Sequence, residues 1–399
     1  MSAYLSSADA AALLGVSRQT LYAYVSRGLL HAHPAVDPRE SRYLAEDVQR
    51  LADHRPRGRK PKEAAKAALS WGLPVLESAL TLIEDGRLYY RGRDAVAFSE
   101  QASVEEAAAL LWDCAPQDAF GPEPPAVAAG FAEWRAAFAG RRAEHALLPL
   151  FALAAADDLG AQWQLPPGRR LASCGALVRR LAACLLGSAP SAAPLHEQCA
   201  MAWRLDAGGA ALVRRALVLC ADHELNASGF TARCIASTDA SLQACVTGGL
   251  AALSGPRHGG TTARVEALLD ELDMAAGAPG AAARIDARLA RGDDLPGFGH
   301  HLYPAGDVRA AALLATILPA HPDWQAAIER IRALTGHPPS VDFALAALRR
   351  HLGLPPGSAF GIFALGRSLG WIAHALEQRA TGSLIRPRAA YTGQRPPAA

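Results

Sequence analysis

Aromatic residues are scarce in this 399-residue chain, at 6%, and Ala supplies much of its 51% hydrophobic fraction. Ala is the strongest helix former, so the composition tilts the expectation toward helix. No stretch approaches about 18 uninterrupted apolar residues, and no membrane span is expected. The N-terminus MSAYLSSADAAALLG has no basic segment followed by a long apolar run, so it does not read as a secretion signal. No C-x-x-C pair occurs among Cys114, Cys174, Cys184, Cys199, Cys220, Cys234 and Cys245, and the count is odd. Several of them sit in apolar helical patterns, where a reduced thiol packs as a small hydrophobe. A disulfide framework or zinc site is therefore not expected, and the expected setting is a reduced cytoplasm. The G-x-G-x-x-G, G-x-x-x-x-G-K-[ST] and H-E-x-x-H patterns are missing too, which leaves nucleotide-fold and zincin readings without support. There is no internal repeat in the 20–50-residue range.

What is present is the composition of a soluble globular protein long enough for two or three domains. Charged residues make up 20% and the net charge is +2, which points to no particular partner. The distribution says more: residues 1–66 hold eleven Lys/Arg against seven Asp/Glu. Such an excess suits nucleic acid and a solvated tail equally.

Within that piece, a short helix over Ala8–Leu14 meets Gly15-Val16. Ser17 then caps a second helix with Leu21, Tyr24 and Val25 on one face. Arg18, Gln19, Tyr22 and Ser26 would face outward, side chains able to reach base edges or phosphates. A hairpin from His33-Pro34 to Arg42-Tyr43 and a helix over Ala45–Leu51 follow. This order resembles the winged helix–turn–helix of the excisionase and MerR-like group over about fifty residues. The resemblance implies DNA binding through Arg18, Gln19 and Tyr22; a packing or dimerisation module is the alternative. Residues 55–66 (RPRGRKPKEAAK) read as a basic linker, able to add sequence-independent phosphate contacts or simply solvated.

From Trp71 onward the pattern is amphipathic helices between Gly, Pro and Asp breaks, with one candidate hairpin near Arg87–Tyr90. Leu242, Cys245, Val246, Gly249, Leu250 and Leu253 line one helical face. Three loops concentrate polar chemistry in this apolar body. The first is Ser254-Gly255-Pro256-Arg257-His258-Gly259-Gly260, with Thr261 or Thr262 as the N-cap of the next helix. There the helix dipole would favour neutral imidazole. The second is Leu295-Pro296-Gly297-Phe298-Gly299-His300, followed by Asp307-Val308-Arg309. The third is Pro338-Pro339-Ser340-Val341-Asp342-Phe343, which sets Asp342 in the first turn of a helix. Singly, each has a structural reading.

Together, with L-Y-Y-R-G-R-D (88–94), D-H-E-L-N-A-S (222–228), L-G-R-S-L-G-W-I-A-H (365–374) and R-P-R (386–388), these motifs resemble the citrate synthase family over some three hundred residues. The fold implied is mainly α: a large helical domain (71–259 and 354–399) around a small one (260–353). A winged helix–turn–helix at 1–56 and a linker at 57–70 would precede it. The activity implied is condensation of acetyl-CoA or propionyl-CoA with oxaloacetate to citrate or 2-methylcitrate. By resemblance, Asp342 removes a proton beside the thioester. Neutral His258 hydrogen-bonds the enol oxygen, and His300 polarises the ketone and protonates the alkoxide. His223, Arg309, Arg367 and Arg386 would hold oxaloacetate, Arg386 reaching the site of a second subunit in a homodimer. Leu295, Pro296, Gly297, Phe298 and Gly299 would lie along CoA. No metal and no cofactor is implied, the CoA thioester being a substrate.

The chain also departs from the family pattern. His301 and Pro304 stand where Arg and Lys are common, Thr261-Thr262 where Ala-Asn is common, and Cys220 where the first His of an H-x-D-H element is common. These positions bear on CoA affinity and acyl preference. The other reading is a transcriptional regulator whose synthase-like body senses a metabolite. Retention of Asp342, His258 and His300 favours the enzyme.

Overall fold

The computed structural model describes residues 4–14, 16–26, 30–34, 41–45, 47–48, 76–156, 163, 165–272, 278–389 and 391–394. Gly15, Gly28, Arg39 and the linker at 57–70 lie outside these residues. The chain divides into two units, Met1–Glu77 and Ser78–Ala399.

In the first unit, β1 (Tyr4–Ser6), α1 (Ser7–Leu14), α2 (Arg18–Ser26), β2 (Ala32–Pro34) and β3 (Ser41–Leu44) follow in order. The strands form an antiparallel sheet in the order β1-β3-β2, with Leu5 opposite Tyr43 and His33 opposite Arg42. Ser17 caps α2 as expected, its Oγ accepting from the Thr20 N–H at 3.2 Å. Leu21, Ala10, Ala11, Leu14, Leu30, Tyr43 and Val48 form the small core. Strand β1 was not foreseen, because three residues are too few to show a two-residue alternation.

The second unit opens with β4 (Thr81–Glu84), β5 (Arg87–Tyr90) and β6 (Arg93–Asp94), the hairpin expected near Arg87 with one further strand. Helices follow: α3 (Ala95–Ser99), α4 (Val104–Trp112), α5 (Pro116–Ala119), α6 (Phe131–Ala137), α7 (Ala143–Ala154), α8 (Pro167–Leu186), α9 (Leu195–Trp203) and α10 (Ala207–Leu219). Then come α11 (Ala227–Ala236), α12 (Leu242–Leu253), α13 (Thr261–Leu272), α14 (Ala278–Ala290) and α15 (Val308–Ile317). The last are α16 (Pro322–Thr335), α17 (Val341–His351) and α18 (Ser358–Thr381). The six residues expected on one face of α12 are all buried.

Helix α18 is the axis of this unit and packs on α4, α7, α8, α10, α11, α12, α13 and α17. A helix apolar all round has to be enclosed by others. By length and composition α18 could cross a membrane, but 94% of its apolar window is buried inside the protein. Leu365, Leu369 and Ile372 are fully buried, each stabilising the fold by about 2 kcal/mol. Gly370 lets the Cys220–His223 segment lie against the helix. A Cβ there would stand 2.3 Å from Asp222 Oδ1, and its N–H donates to the Ala221 carbonyl at 3.0 Å. From the other side the Tyr90 hydroxyl lies 3.1 Å from the Val218 and Leu219 carbonyls, and Thr81 Oγ1 donates to Asp222 Oδ2 at 2.5 Å. The hairpin and α18 thus clamp the segment that presents His223.

Candidate active site

Glu224 has φ of +53°, a left-handed conformation that costs about 1 kcal/mol for a residue with a side chain. It turns the chain from His223 into α11, which Asn226 caps by accepting from the Ser228 and Gly229 N–H groups. His374 on α18 holds the turn, its Nε2 lying 3.2 Å from the Glu224 carbonyl and 3.3 Å from Asp222 Oδ1. The capped first turn aims Ser228 at His258, with Oγ 2.8 Å from Nε2. Ser228 stands in the D-H-E-L-N-A-S motif with no role legible there, since one serine in a helix start carries no signal of its target.

His258 sits in a tight turn before α13. Both Thr261 and Thr262 fall inside the helix and donate to the Pro256 and Gly259 carbonyls, so neither is the N-cap that was expected. The imidazole is held neutral, its pKa lowered to about 3 by burial first and then by Arg367 and Arg309. Burial and two guanidinium charges thus do what the helix dipole was expected to do.

The second and third loops pair with each other. Gly299 N–H donates to the Pro338 carbonyl and Ser340 N–H to the Gly297 carbonyl, both at 2.8 Å, around a bridge between Phe298 and Pro339. Gly297 at φ +86° is obligatory, because a Cβ would stand 2.6 Å from Val265. Pro296 and Gly297 are buried, Leu295 and Phe298 pack against the core, and Phe298 lies 5.0 Å from the Phe343 ring.

That pairing puts His300 beside His223, ring centroids 5.2 Å apart, with Tyr303 within 5.5 Å of both. His223 Nε2 lies 3.1 Å from the Tyr303 hydroxyl. Burial holds His223 well below its usual pKa, assisted by Arg309, Arg367, His300 and His258. His300 falls to about 4 through burial and Arg309, with Asp307 opposing. The Leu302 N–H donates to His300 Nδ1 at 3.1 Å, so the neutral ring carries its proton on Nε2.

Asp342 is in the first turn of α17, as its sequence position requires. Its Oδ1 is enclosed without a hydrogen-bond partner, and Ser340 Oγ stands 3.4 Å from Oδ2. Burial pushes its pKa up to about 6, with Arg309 opposing and Asp307 adding. Arg309 is buried and paired with Asp307 at 2.9 and 2.8 Å. Burial works against its charge, but Asp307 outweighs burial and holds the guanidinium above its usual value. Arg367 is buried too, yet its Nε donates only to the Cys220 carbonyl at 2.8 Å and its Nη2 has no partner. Burial lowers its pKa, with Asp222 opposing.

The structure therefore brings together His223, His258, His300, Arg309, Asp342 and Arg367. It does not bring Arg386 to them. That residue lies beyond α18 in an exposed segment without regular secondary structure and donates to the Pro387 carbonyl. In the other unit Arg18, Gln19 and Tyr22 are all exposed on α2. Among the described residues, no group of three or more His, Cys, Asp or Glu is arranged to hold a metal ion.

The family model of the citrate synthase C-terminal domain matches residues 170–388, more than half of the chain. The chain belongs to the citrate synthase family. A helix-turn-helix domain model matches residues 4–56. Citrate synthase 2 of Bacillus subtilis (strain 168) is 39% identical over 188 residues, covering 45% of this chain and 50% of that protein. The 2-methylcitrate synthase 2 of Corynebacterium glutamicum is 36% identical over 190 residues, covering 45% and 49%. The chain spans about half the length of the curated relatives it matches. Two solved structures share the fold. One is the citrate synthase of Thermotoga maritima MSB8 (TM-score 0.64, 23% identity, 82% of this chain, 96% of that one). The other is the ternary complex of carboxymethyl coenzyme A and oxaloacetate with the citrate synthase of Thermoplasma acidophilum (TM-score 0.66, 22% identity, 82% and 96%).

Proposed function

We propose that this citrate synthase family member condenses an acyl-CoA thioester with oxaloacetate and hydrolyses the product thioester. The observation that carries the reading is one buried cluster holding a carboxylate of raised basicity, two neutral imidazoles and an unpaired guanidinium. Asp342 takes a proton from the carbon beside the thioester carbonyl, a step that needs a desolvated base. Ser228 Oγ engages His258 Nε2, so Nδ1 is the atom left to donate to the enol oxygen. For that tautomer the Ser228 hydroxyl, which lies 2.7 Å from Asn226 Oδ1 and 2.8 Å from Nε2, turns its proton from Asn226 to Nε2. His300 Nε2–H points its proton at the ketone of oxaloacetate and then serves the new alkoxide. Arg367 and Arg309 receive the carboxylates of oxaloacetate, with His223 beside them. The neighbour from Thermoplasma acidophilum, crystallised with oxaloacetate and a CoA analogue, supports this choice of substrates.

Three further parts belong to the reading. Residues 260–353 form a small domain that closes on the rest and excludes water, with Leu295–Gly299 along CoA. Arg386 completes the site of a second copy, which accounts for an exposed cation outside the cluster of its own chain. The first unit binds DNA through Arg18, Gln19 and Tyr22, supported by the helix-turn-helix match and the exposure of all three. The test of the enzyme reading is release of CoA thiol from acetyl-CoA and from propionyl-CoA with and without oxaloacetate. Release that requires oxaloacetate supports it and ranks the two acyl groups. No release from either, in a sample that binds oxaloacetate, leaves the sensing regulator as the better account.

A further inference from the structure

Asp307 has no role in the chemistry above, yet every acceptor position of its carboxylate is used. Oδ1 accepts the Arg309 N–H at 3.0 Å, capping α15, and Arg309 Nε at 2.9 Å. Oδ2 accepts Arg309 Nη2 at 2.8 Å and, across a gap of 34 residues, the Val341 N–H at 3.0 Å. The carboxylate is buried, so each of these bonds is made in a low local dielectric. Val341 is the residue before Asp342, and Arg309 is the cation shared by the whole cluster.

We propose that Asp307 is a positioning residue that joins the two halves of the reaction. It fixes the guanidinium that receives oxaloacetate and the helix turn that carries the base, so that neither moves without the other. This inference rests on the reading of Asp342 as the base. Its geometry explains why the two loops must pair. The bonds between Gly297, Gly299, Pro338 and Ser340 hold the backbone that Asp307 then ties to α15.

The same carboxylate sets the charge felt by Asp342. From α15 the base faces Arg309, which favours its ionised form, and Asp307, which opposes that. On the other sides stand Ser340 at the head of its own helix and Cys220, whose thiol feels the Asp342 charge. Arg367 on α18 acts on the same cluster through His258 and Cys220. Glu266 on α13 is tied up by Arg349 and Arg350 at the far end of α17. With Asp307 ionised, Arg309 is neutralised and the base keeps its strength. Without that charge, Arg309 would act on Asp342 alone.

The test compares Asp307→Asn and Asp307→Glu with wild type in the full chain, and uses Asp286→Asn, which removes an exposed ion pair with Arg330, as the control. Asn is a good N-cap and nearly isosteric, so α15 is kept. The readouts are the titration of the Asp342 carboxyl by carbon NMR, assigned against Asp342→Asn, and the pH profile of turnover. For Asp307→Asn the Asp342 midpoint should fall by about one unit or more, the size of an uncompensated opposite charge nearby. Turnover should fall about tenfold or more, as a weakened and loosened base requires. Asp307→Glu should keep the midpoint near the wild-type value while turnover drops. An unchanged midpoint in folded Asp307→Asn overturns the proposal, as does an equal shift in Asp307→Glu. If Asp307→Asn fails to fold, Asp307→Glu decides: a drop in turnover at an unchanged midpoint supports the proposal, and wild-type turnover overturns it. If wild type turns over no thioester, the proposed reaction fails, but the titration still settles what Asp307 does.

Discussion

Arg367→Met separates what a buried charge does for function from what it does for the fold. Arg367 is 1% exposed, and its Nε donates to the Cys220 carbonyl, while Nη2 has no partner. Asp222 is near enough to favour the charge, but Asp222 is bonded to Thr81 and His374 instead. Replacing Arg by Met removes an incompletely solvated cation, which favours the folded state. It also orphans one buried carbonyl, which costs about 1–3 kcal/mol. The two effects oppose, so the unliganded stability should change by no more than about 2 kcal/mol. Oxaloacetate has no such compensation, because a carboxylate at Nη2 is the partner this group lacks. Losing one desolvated charge pair costs about 2–5 kcal/mol of binding, and 1.4 kcal/mol is a factor of ten. The Kd for oxaloacetate should therefore weaken by roughly 30-fold to over 1000-fold, and the rise in Tm that oxaloacetate gives the wild type should vanish. Calorimetric titration and thermal unfolding with and without oxaloacetate measure both. A Kd within threefold of wild type, with Tm still rising on addition of ligand, would refute the assignment of Arg367.

Other expectations follow from the same geometry. Ser228→Ala removes the partner of His258 Nε2, so turnover should fall by about tenfold or more while oxaloacetate affinity stays; equal losses in both would show that Ser228 serves the fold instead. With the Asp342 pKa raised to about 6, the ionised base is present above that pH and lost below it, so kcat/KM should rise through about pH 6; His258 at about 3 and His300 at about 4 remain neutral across that window. Mixing inactive Asp342→Asn with inactive Arg386→Ala should restore activity after subunit exchange, since one site then holds an intact copy of each residue; no recovery would place Arg386 in its own chain's site. In the first unit Gln19→Ala should change which DNA sequences are selected from genomic fragments, and no enrichment by the wild type would make that unit an assembly module.

The body was legible because its signals are local and repeated. The face of α12 follows from six apolar residues at helical spacing, and the Ser17 cap and the hairpin at Arg87 carry their own turn chemistry. Asp342, His258 and His300 were legible only as members of ordered motifs, since each alone suits a helix start or a tight turn. What the sequence did not disclose is where side chains meet across distance. Ser228 reaches His258 over 30 residues and Asp307 reaches Val341 over 34, contacts set by how helices pack rather than by any nearby pattern. The cause of the neutral His258 was hidden for the same reason: it lies in burial and in Arg367 and Arg309, about 50 to 110 positions away. An Asp two residues ahead of an Arg at a helix start is the one signal that could have marked Asp307.

The central claim is that Asp342 is the base of an oxaloacetate-dependent condensation, and one variant tests it most directly. Asp342→Asn keeps shape and removes only the basic oxygen, so oxaloacetate binding and thiol release should be measured on the same preparation. The account predicts a Kd for oxaloacetate near that of the wild type, with turnover lower by roughly two to four orders of magnitude, the range for a positioned general base. Turnover close to wild type in that variant would contradict it.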